Sequence, residues 1–388
     1  MTMKKYFFLA AAVLVTVQGL AQTAPTRALS KYADDKFGED DKYTVTNPYQ
    51  TVSVEQPKRD RKIKNIILMI GDGMGFEQVS CGWVLNGGHL NLDNCIYTGV
   101  SRTYAANRLI TDSCAGGTAL AVGQKTNYGY IAVDTEARPV DSILKTAQDL
   151  GKKTGVAVTC RINDATPADF VCHSPERDAE AEIAAQYVDS GVDFLAGGGI
   201  HFWQGRDDGR DLVAEMVAKG YTFVDNREDL AKVTKSPVLG LFAPLEMEPA
   251  LDRGPVLEDC AKKALEVLDN KKGFFLMIEG SSIDDHCHHQ KVGYAMEELF
   301  DFDRTVGHVL EWAAKDGHTL VIITADHATG GMTMVDGSLE DRSVKVHFST
   351  KGHNGIFVPV FAFGPHASEF TGVMENAELS NRIRALLK

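Results

Sequence analysis

Several stretches of this 388-residue chain carry side chains that could do chemistry. The densest is residues 279–289, Glu-Gly-Ser-Ser-Ile-Asp-Asp-His-Cys-His-His, with three carboxylates and three imidazoles in eleven residues. Asp284 and His288 are four apart, and so are Asp285 and His289, so on a helical turn either pair shares a face. Carboxylate oxygen with imidazole nitrogen is a donor set that suits zinc. Spacing alone does not choose between the two registers. A second cluster, Asp326-His327, follows Thr324-Ala325, and a third imidazole, His353, lies between Gly352 and Asn354. Catalytic zinc often takes three protein ligands and leaves one position open, so His353 can complete a set with Asp284 and His288.

Such donors need a nucleophile and a holder for an anion. Ser113 stands in residues 111–119, Thr-Asp-Ser-Cys-Ala-Gly-Gly-Thr-Ala, between an acid and a run of small residues. That run predicts a tightly packed helix start, where free amides and the helix dipole favour an anion. The competing role for Ser113 or Asp112 is simply to cap that helix. No Gly-x-Ser-x-Gly occurs, so hydrolysis by a Ser-His-Asp elbow is not supported. Residues 161–169 supply Asp164 and Thr166, oxygen donors of the kind magnesium takes. Arg177 follows, and a planar guanidinium can hold two phosphate oxygens at once.

These residues must be brought together by the elements between them. Short apolar runs at 65–70, 155–159, 194–197, 238–242, 274–278, 319–324 and 358–363 read as buried strands. Amphipathic stretches at 140–150, 178–190, 255–270 and 293–315 read as the intervening helices. Strands buried on both faces and alternating with helices predict an α/β fold: a doubly wound, mostly parallel central sheet with helices on both faces. Ligands of such sheets bind beyond the carboxyl ends of the strands. Asp72, Glu279 and the pair Asp326-His327 each follow a different predicted strand, which puts all of them at one edge. The Gly-rich polar stretch 328–352 predicts a projecting loop or hairpin.

Hydrophobic residues make up 44% and charged residues 24% of the chain, an ordinary globular composition. The formal net charge of -13 argues against nucleic-acid binding driven by phosphate neutralisation, which needs a basic face. It leaves room for an anionic substrate, because metal cations can invert the field of a site. Residues 1–21 read as a signal peptide: Lys4 and Lys5 precede an apolar run that ends in Gly19-Leu20-Ala21. Cleavage there predicts a secreted or periplasmic protein with no membrane attachment. Residues 22–63 read as a polar N-terminal arm, and residues 64–388 as the catalytic domain. Seven Cys is an odd number, so at least one is free or pairs between chains.

Six motifs, in order and spacing, resemble the alkaline phosphatase family across residues 64–388. They are IILMIGDGMG at 66–75, TDSCAGGTA at 111–119, NDATPADF at 163–170, EGSSID at 279–284, TADH at 324–327 and GHNG at 352–355. The resemblance implies a phosphomonoesterase with two zinc ions and one magnesium, working through a phosphoserine on Ser113 with Arg177 as phosphate clamp. It implies Asp284, His288 and His353 as ligands of the first zinc, and Asp326, His327 and Asp72 of the second. Asp72, Thr166 and Glu279 would hold the magnesium, with Asp164 reaching it through water. The resemblance also selects Asp284 and His288 over Asp285 and His289, and it implies small phosphate monoesters as substrates and a homodimer. Asp285 and Cys114 depart from the family pattern. Asp285 adds negative charge at a position expected near the phosphate, and Cys114 reads as packing. The competing functions are a phosphodiesterase of the same superfamily and a non-catalytic exported phosphate- or metal-binding protein. A sulfatase would need Cys-x-Pro-x-Arg at the nucleophile, which residues 113–118 do not supply.

Overall fold

The computed structural model describes residues 41–388. The signal peptide expected at residues 1–21, and residues 22–40 of the expected arm, lie outside the described residues. The apolar runs become the middle of a ten-stranded sheet. From one edge to the other its strands are Gly372–Glu375, Tyr97–Arg102, Val358–Phe363, Thr319–Thr324, Asn65–Gly71, Phe274–Gly280, Lys153–Arg161, Phe194–Gly198, Val238–Leu241 and Thr222–Val224. All seven predicted strands are among them. Val358–Phe363 runs against both its neighbours, and every other pairing is parallel.

The two faces are buried separately. Ile67, Met69, Leu276, Ile278, Val321 and Ile323 enter one hydrophobic cluster, while Ile66, Leu68, Ile70, Phe275, Met277, Leu320 and Ile322 enter the other. This is the two-residue period of a strand covered on both sides, and it explains apolar runs in place of alternation. Helices form at Ile143–Asp149, Glu180–Gln186, Val256–Leu268 and Val292–Asp316, inside or close to the predicted spans. The strand order reverses at Asn65–Gly71: the next sheet strand in the chain, Tyr97–Arg102, lies to one side and Lys153–Arg161 to the other. That is a topological switch point, where a crevice opens at the carboxyl edge.

The stretch at 328–352 contains a hairpin, Met332–Ser338 with Ser343–Phe348, and Lys42–Thr44 adds a third strand to it. Three sheet strands went unread in the sequence: Tyr97–Arg102, Thr222–Val224 and Gly372–Glu375. They are short, and the first and last contain Gly. At Gly99 the neighbouring chain passes so close that a Cβ would lie 2.5 Å from the Phe370 carbonyl oxygen, so packing demanded the residue that weakens the strand signal.

Behind the helix Ser282–His288 lies a buried ionic cluster. Arg253 Nη2 is 2.7 Å from Glu298 and 2.7 Å from Asp301, both on the helix Val292–Asp316. Glu298 Oε1 also lies 3.5 Å from Nε2 of His286, a residue of the helix in front. Burial pushes the Glu298 carboxyl up, but Arg253 and His286 outweigh it and hold it well below the usual carboxylate range. Arg253→Met leaves two buried carboxylates without their cation. It should cost about 3–5 kcal/mol of unfolding free energy, measurable by urea denaturation. A loss below about 1 kcal/mol would show that the cluster is not a support of the fold.

Candidate active site

The sheet delivers its chemistry at the carboxyl edge. Asp72 follows Asn65–Gly71 directly, Glu279 is the penultimate residue of Phe274–Gly280, and Asp326 and His327 follow Thr319–Thr324 after one residue. Asp164 caps the helix Ala165–Val171, whose first turn carries Thr166. Asp284 and His288 share a face of Ser282–His288, as their spacing required, with His288 Nε2 3.2 Å from Asp284 Oδ2. His353 arrives from a two-residue strand whose register sets it opposite Thr329. Asp285 points elsewhere than Asp284: its oxygens lie 3.7 Å from His289 Nδ1 and 3.9 Å from His286 Nδ1.

Three donor residues converge in the first cluster. His288 Nε2 and His353 Nε2 are 3.1 Å apart, and they lie 3.2 and 3.4 Å from the Asp284 oxygens. A tetrahedral zinc at its usual bond lengths separates its donors by about 3.3 Å. The tautomers point the same way. His353 Nδ1 meets the Thr111 carbonyl at 2.8 Å, and His288 Nδ1 meets the Lys351 carbonyl. A carbonyl only accepts, so each ring places its N–H on Nδ1 and, when neutral, a bare lone pair on Nε2. Two lone pairs at 3.1 Å repel unless a proton or a metal cation lies between them. Burial pushes the His353 ring down, but Asp284 outweighs it and holds it above the ordinary imidazole range. Burial likewise raises Asp284, yet His288 and His353 hold it well below the usual carboxylate range.

The second cluster surrounds His327, which is fully buried. Its Nε2 lies 3.0 Å from Asp326 Oδ2, 3.4 Å from Asp72 Oδ1 and 3.2 Å from Ser113 Oγ. Both carboxylate oxygens are buried without a hydrogen-bond partner, and so is Thr166 Oγ1. Leaving such atoms unpaired is costly, so the two carboxylate oxygens that meet at His327 Nε2 fit a cation better than a structural polar core. Burial, reinforced by Asp326 and Asp284, pushes the Asp72 carboxyl well above its usual range. Burial, then Asp326 and Asp164, does the same to Glu279. The acids therefore sense one another across the span where the sequence expects the second zinc and the magnesium.

Ser113 is the first residue of the helix Ser113–Val122, and the cap is Asp112, whose Oδ1 accepts the Ala115 N–H at 3.1 Å. Capping therefore falls to Asp112 and leaves the Ser113 hydroxyl at the second cluster. The other Asp112 oxygen lies 3.5 Å from Arg177 Nη1, while Arg177 Nη2 is 3.6 Å from Asp164. Cys114 is wholly buried in the hydrophobic core, as its packing role required. Sequence reading missed Thr329, whose hydroxyl donates to Asp284 Oδ1 and lies 3.2 Å from His327 Nδ1. Its position two residues after His327 was the available signal. The Thr111 and Lys351 carbonyls are backbone atoms and leave no trace in side-chain pattern.

An α/β fold that brings a serine beside clustered buried carboxylates and imidazoles at one sheet edge fits the class of metal-dependent hydrolases. The family model for alkaline phosphatase matches residues 63–340. Alkaline phosphatase 4 of Bacillus subtilis is 40% identical over 305 residues, which cover 74% of this chain and 66% of that protein. Alkaline phosphatase of Escherichia coli is 30% identical over 418 residues, covering 87% and 89%. The solved alkaline phosphatase of the Antarctic bacterium TAB5 has a TM-score of 0.79 at 33% identity, covering 86% of this chain and 99% of its own. A variant of that enzyme carries magnesium in its M3 site. The chain belongs to the alkaline phosphatase family: it is a metal-dependent hydrolase acting on phosphate monoesters.

Why Gly116 and Gly117 follow the serine is visible in the packing. A Cβ at Gly116 would meet the Asp326 carbonyl oxygen at 2.9 Å, and one at Gly117 would meet Asp169 Oδ2 at 2.2 Å. The serine helix thus seats directly on the loop that carries Asp326. Gly116→Val should lift that helix and cut kcat/KM on the order of a hundredfold, since ångström shifts carry such costs. Assay with p-nitrophenyl phosphate checks this, and near-parental activity would show that the helix seat is not needed for alignment.

Proposed function

We propose that the chain hydrolyses phosphate monoesters in two transfers through a phosphoserine on Ser113, with two zinc ions and one magnesium. The observation that carries this reading is the Ser113 hydroxyl at the head of a helix, 3.2 Å from His327 Nε2, beside two orphaned buried carboxylate oxygens. Asp284, His288 and His353 would hold the first zinc, and Asp326, His327 and Asp72 the second. Asp72, Thr166 and Glu279, with Asp164 through water, would hold the magnesium. When bound, these ions would supply positive charge to the attacking and leaving oxygens of an in-line displacement.

The chain's own residues do the rest. In the first transfer the Ser113 Oγ–phosphorus bond forms and the phosphorus–alcohol bond breaks. In the second, water takes the phosphoryl group and Ser113 is regenerated. Arg177, oriented by Asp112 and Asp164, spans the equatorial phosphate oxygens with a preorganised charge. The N-terminal amides of Ser113–Val122 add to that field. Asp112 caps the helix and positions the arginine, so one side chain aligns nucleophile and clamp. No residue in this scheme acts as a shaped acid on the leaving group, which favours broad tolerance among monoesters, and Arg177 with the magnesium residues favours a monoester over a diester.

Two further proposals rest on the sequence and the family. The chain is exported after cleavage near Ala21, and it works as a homodimer. No helix among the described residues is long and apolar enough to cross a membrane.

Ser113→Ala should retain its metals, form no phosphoenzyme and lose at least about a hundredfold in activity. Mass spectrometry at mildly acidic pH, with zinc and magnesium content measured in parallel, checks all three. Phosphate trapped on another residue would contradict the assignment. Exhaustive chelation of the parent should abolish turnover of p-nitrophenyl phosphate, and full activity after it would contradict metal dependence.

A further inference from the structure

The edge of the sheet opposite the site carries the reverse charge. Lys62 and Lys64 lead into Asn65–Gly71, Lys152 into Lys153–Arg161, and Lys271 and Lys272 into Phe274–Gly280. These five amino-end lysines, with Lys388, line one concave cavity of about 720 Å³, whose remaining wall includes His318, His366 and the end of the helix Asn376–Leu387. The chain as a whole carries a net charge of -13, so this concentration is not its average surface.

Few acids answer it. Lys64 pairs with Asp269 at 2.9 Å and His366 with Glu369 at 2.6 Å. Among the described residues, Lys62, Lys152, Lys271 and Lys272 form no ion pair with a side-chain carboxylate, while the Lys388 ammonium is offset by the carboxylate of its own residue. Lys152 instead donates to the carbonyls of Lys64 and Lys272, at 2.9 and 3.0 Å, which fixes its charge on the cavity floor. Burial, and then the charges of Lys62 and Lys64, push its ammonium below the usual lysine range. Like charges held at close quarters around a concave space are relieved by an anion in that space.

We propose that this cavity binds a small anion bearing two or more phosphate groups. One phosphate carries at most about two negative charges, fewer than the lysines offer. The volume is that of a small-molecule pocket. Its concavity, walled by several separate segments, suits a compact ligand better than a flat surface. The strands of six to nine residues between the two edges put it roughly 20 Å from Ser113, so it is a second site and not an extension of the first.

The test uses full-length Ser113→Ala protein, which should not turn the probe over, with excess magnesium and tripolyphosphate titrated by calorimetry. Against it stand the triple variants Lys62→Glu/Lys271→Glu/Lys272→Glu and Lys62→Gln/Lys271→Gln/Lys272→Gln in the same background. Binding should weaken on the order of tenfold or more in the glutamate triple and less in the glutamine triple. Any binding at the first site is common to all three proteins and cancels. With Ser113 restored, both triples should hydrolyse p-nitrophenyl phosphate at the parental rate, which shows that they fold. Equal tripolyphosphate affinity in all three proteins overturns the proposal. So does capture of the parent on phosphatidylglycerol vesicles without tripolyphosphate binding, which would make the surface a membrane contact.

Discussion

Carboxylates buried side by side repel one another, and this chain buries Asp72, Glu279, Asp284 and Asp326 at one edge of one sheet. The acid contacts of Arg177 are Asp112 and Asp164, not these four. His288 and His353 offset Asp284, while burial and neighbouring negative charge push Asp72 and Glu279 toward their neutral forms. A polar core built only for stability would satisfy these groups with donors. Here Asp72 Oδ1, Asp326 Oδ2 and Thr166 Oγ1 are left without any. The edge makes physical sense as a set of cradles for cations, and the rest of the fold can be understood as what holds those cradles rigid.

That rigidity is distributed. Three adjacent parallel strands, Thr319–Thr324, Asn65–Gly71 and Phe274–Gly280, fix three acids by register. The helix Ser282–His288, backed by the Arg253 cluster, fixes Asp284 and His288. The short pairing of Thr329 with His353 closes the first cluster. Each imidazole of that cluster is turned by a backbone carbonyl on its far nitrogen, the arrangement by which proteins commonly set a ligand's tautomer. The serine helix is seated by Gly116 against the Asp326 carbonyl, so nucleophile and donors share one contact surface.

Much of this was legible in the sequence, for identifiable reasons. The strands at 65–70, 274–278 and 319–324 are buried on both faces, so their apolar runs are unbroken, and the acids that follow them stand out. The four-residue spacing of Asp284 and His288 held because they lie on one helix. Tyr97–Arg102 escaped notice because close packing put Gly99 in its middle. Spacing could not choose between Asp284 with His288 and Asp285 with His289. The choice rests on His353, which comes from far along the chain through a two-residue strand. The carbonyls of Thr111 and Lys351 were illegible in principle, since every residue carries the same carbonyl. The lysines of the opposite edge were visible singly, and only the parallel register gathers them.

If the convergent donors are cation sites, metal must lie at both clusters in the active protein. Crystals of the active protein, measured on both sides of the zinc absorption edge, test it directly. Two anomalous peaks per chain are expected: one among Asp284, His288 and His353, the other among Asp72, Asp326 and His327 within reach of Ser113. Active crystals with no peak at either cluster would contradict it, because the orphaned oxygens and opposed ring nitrogens would then need another explanation.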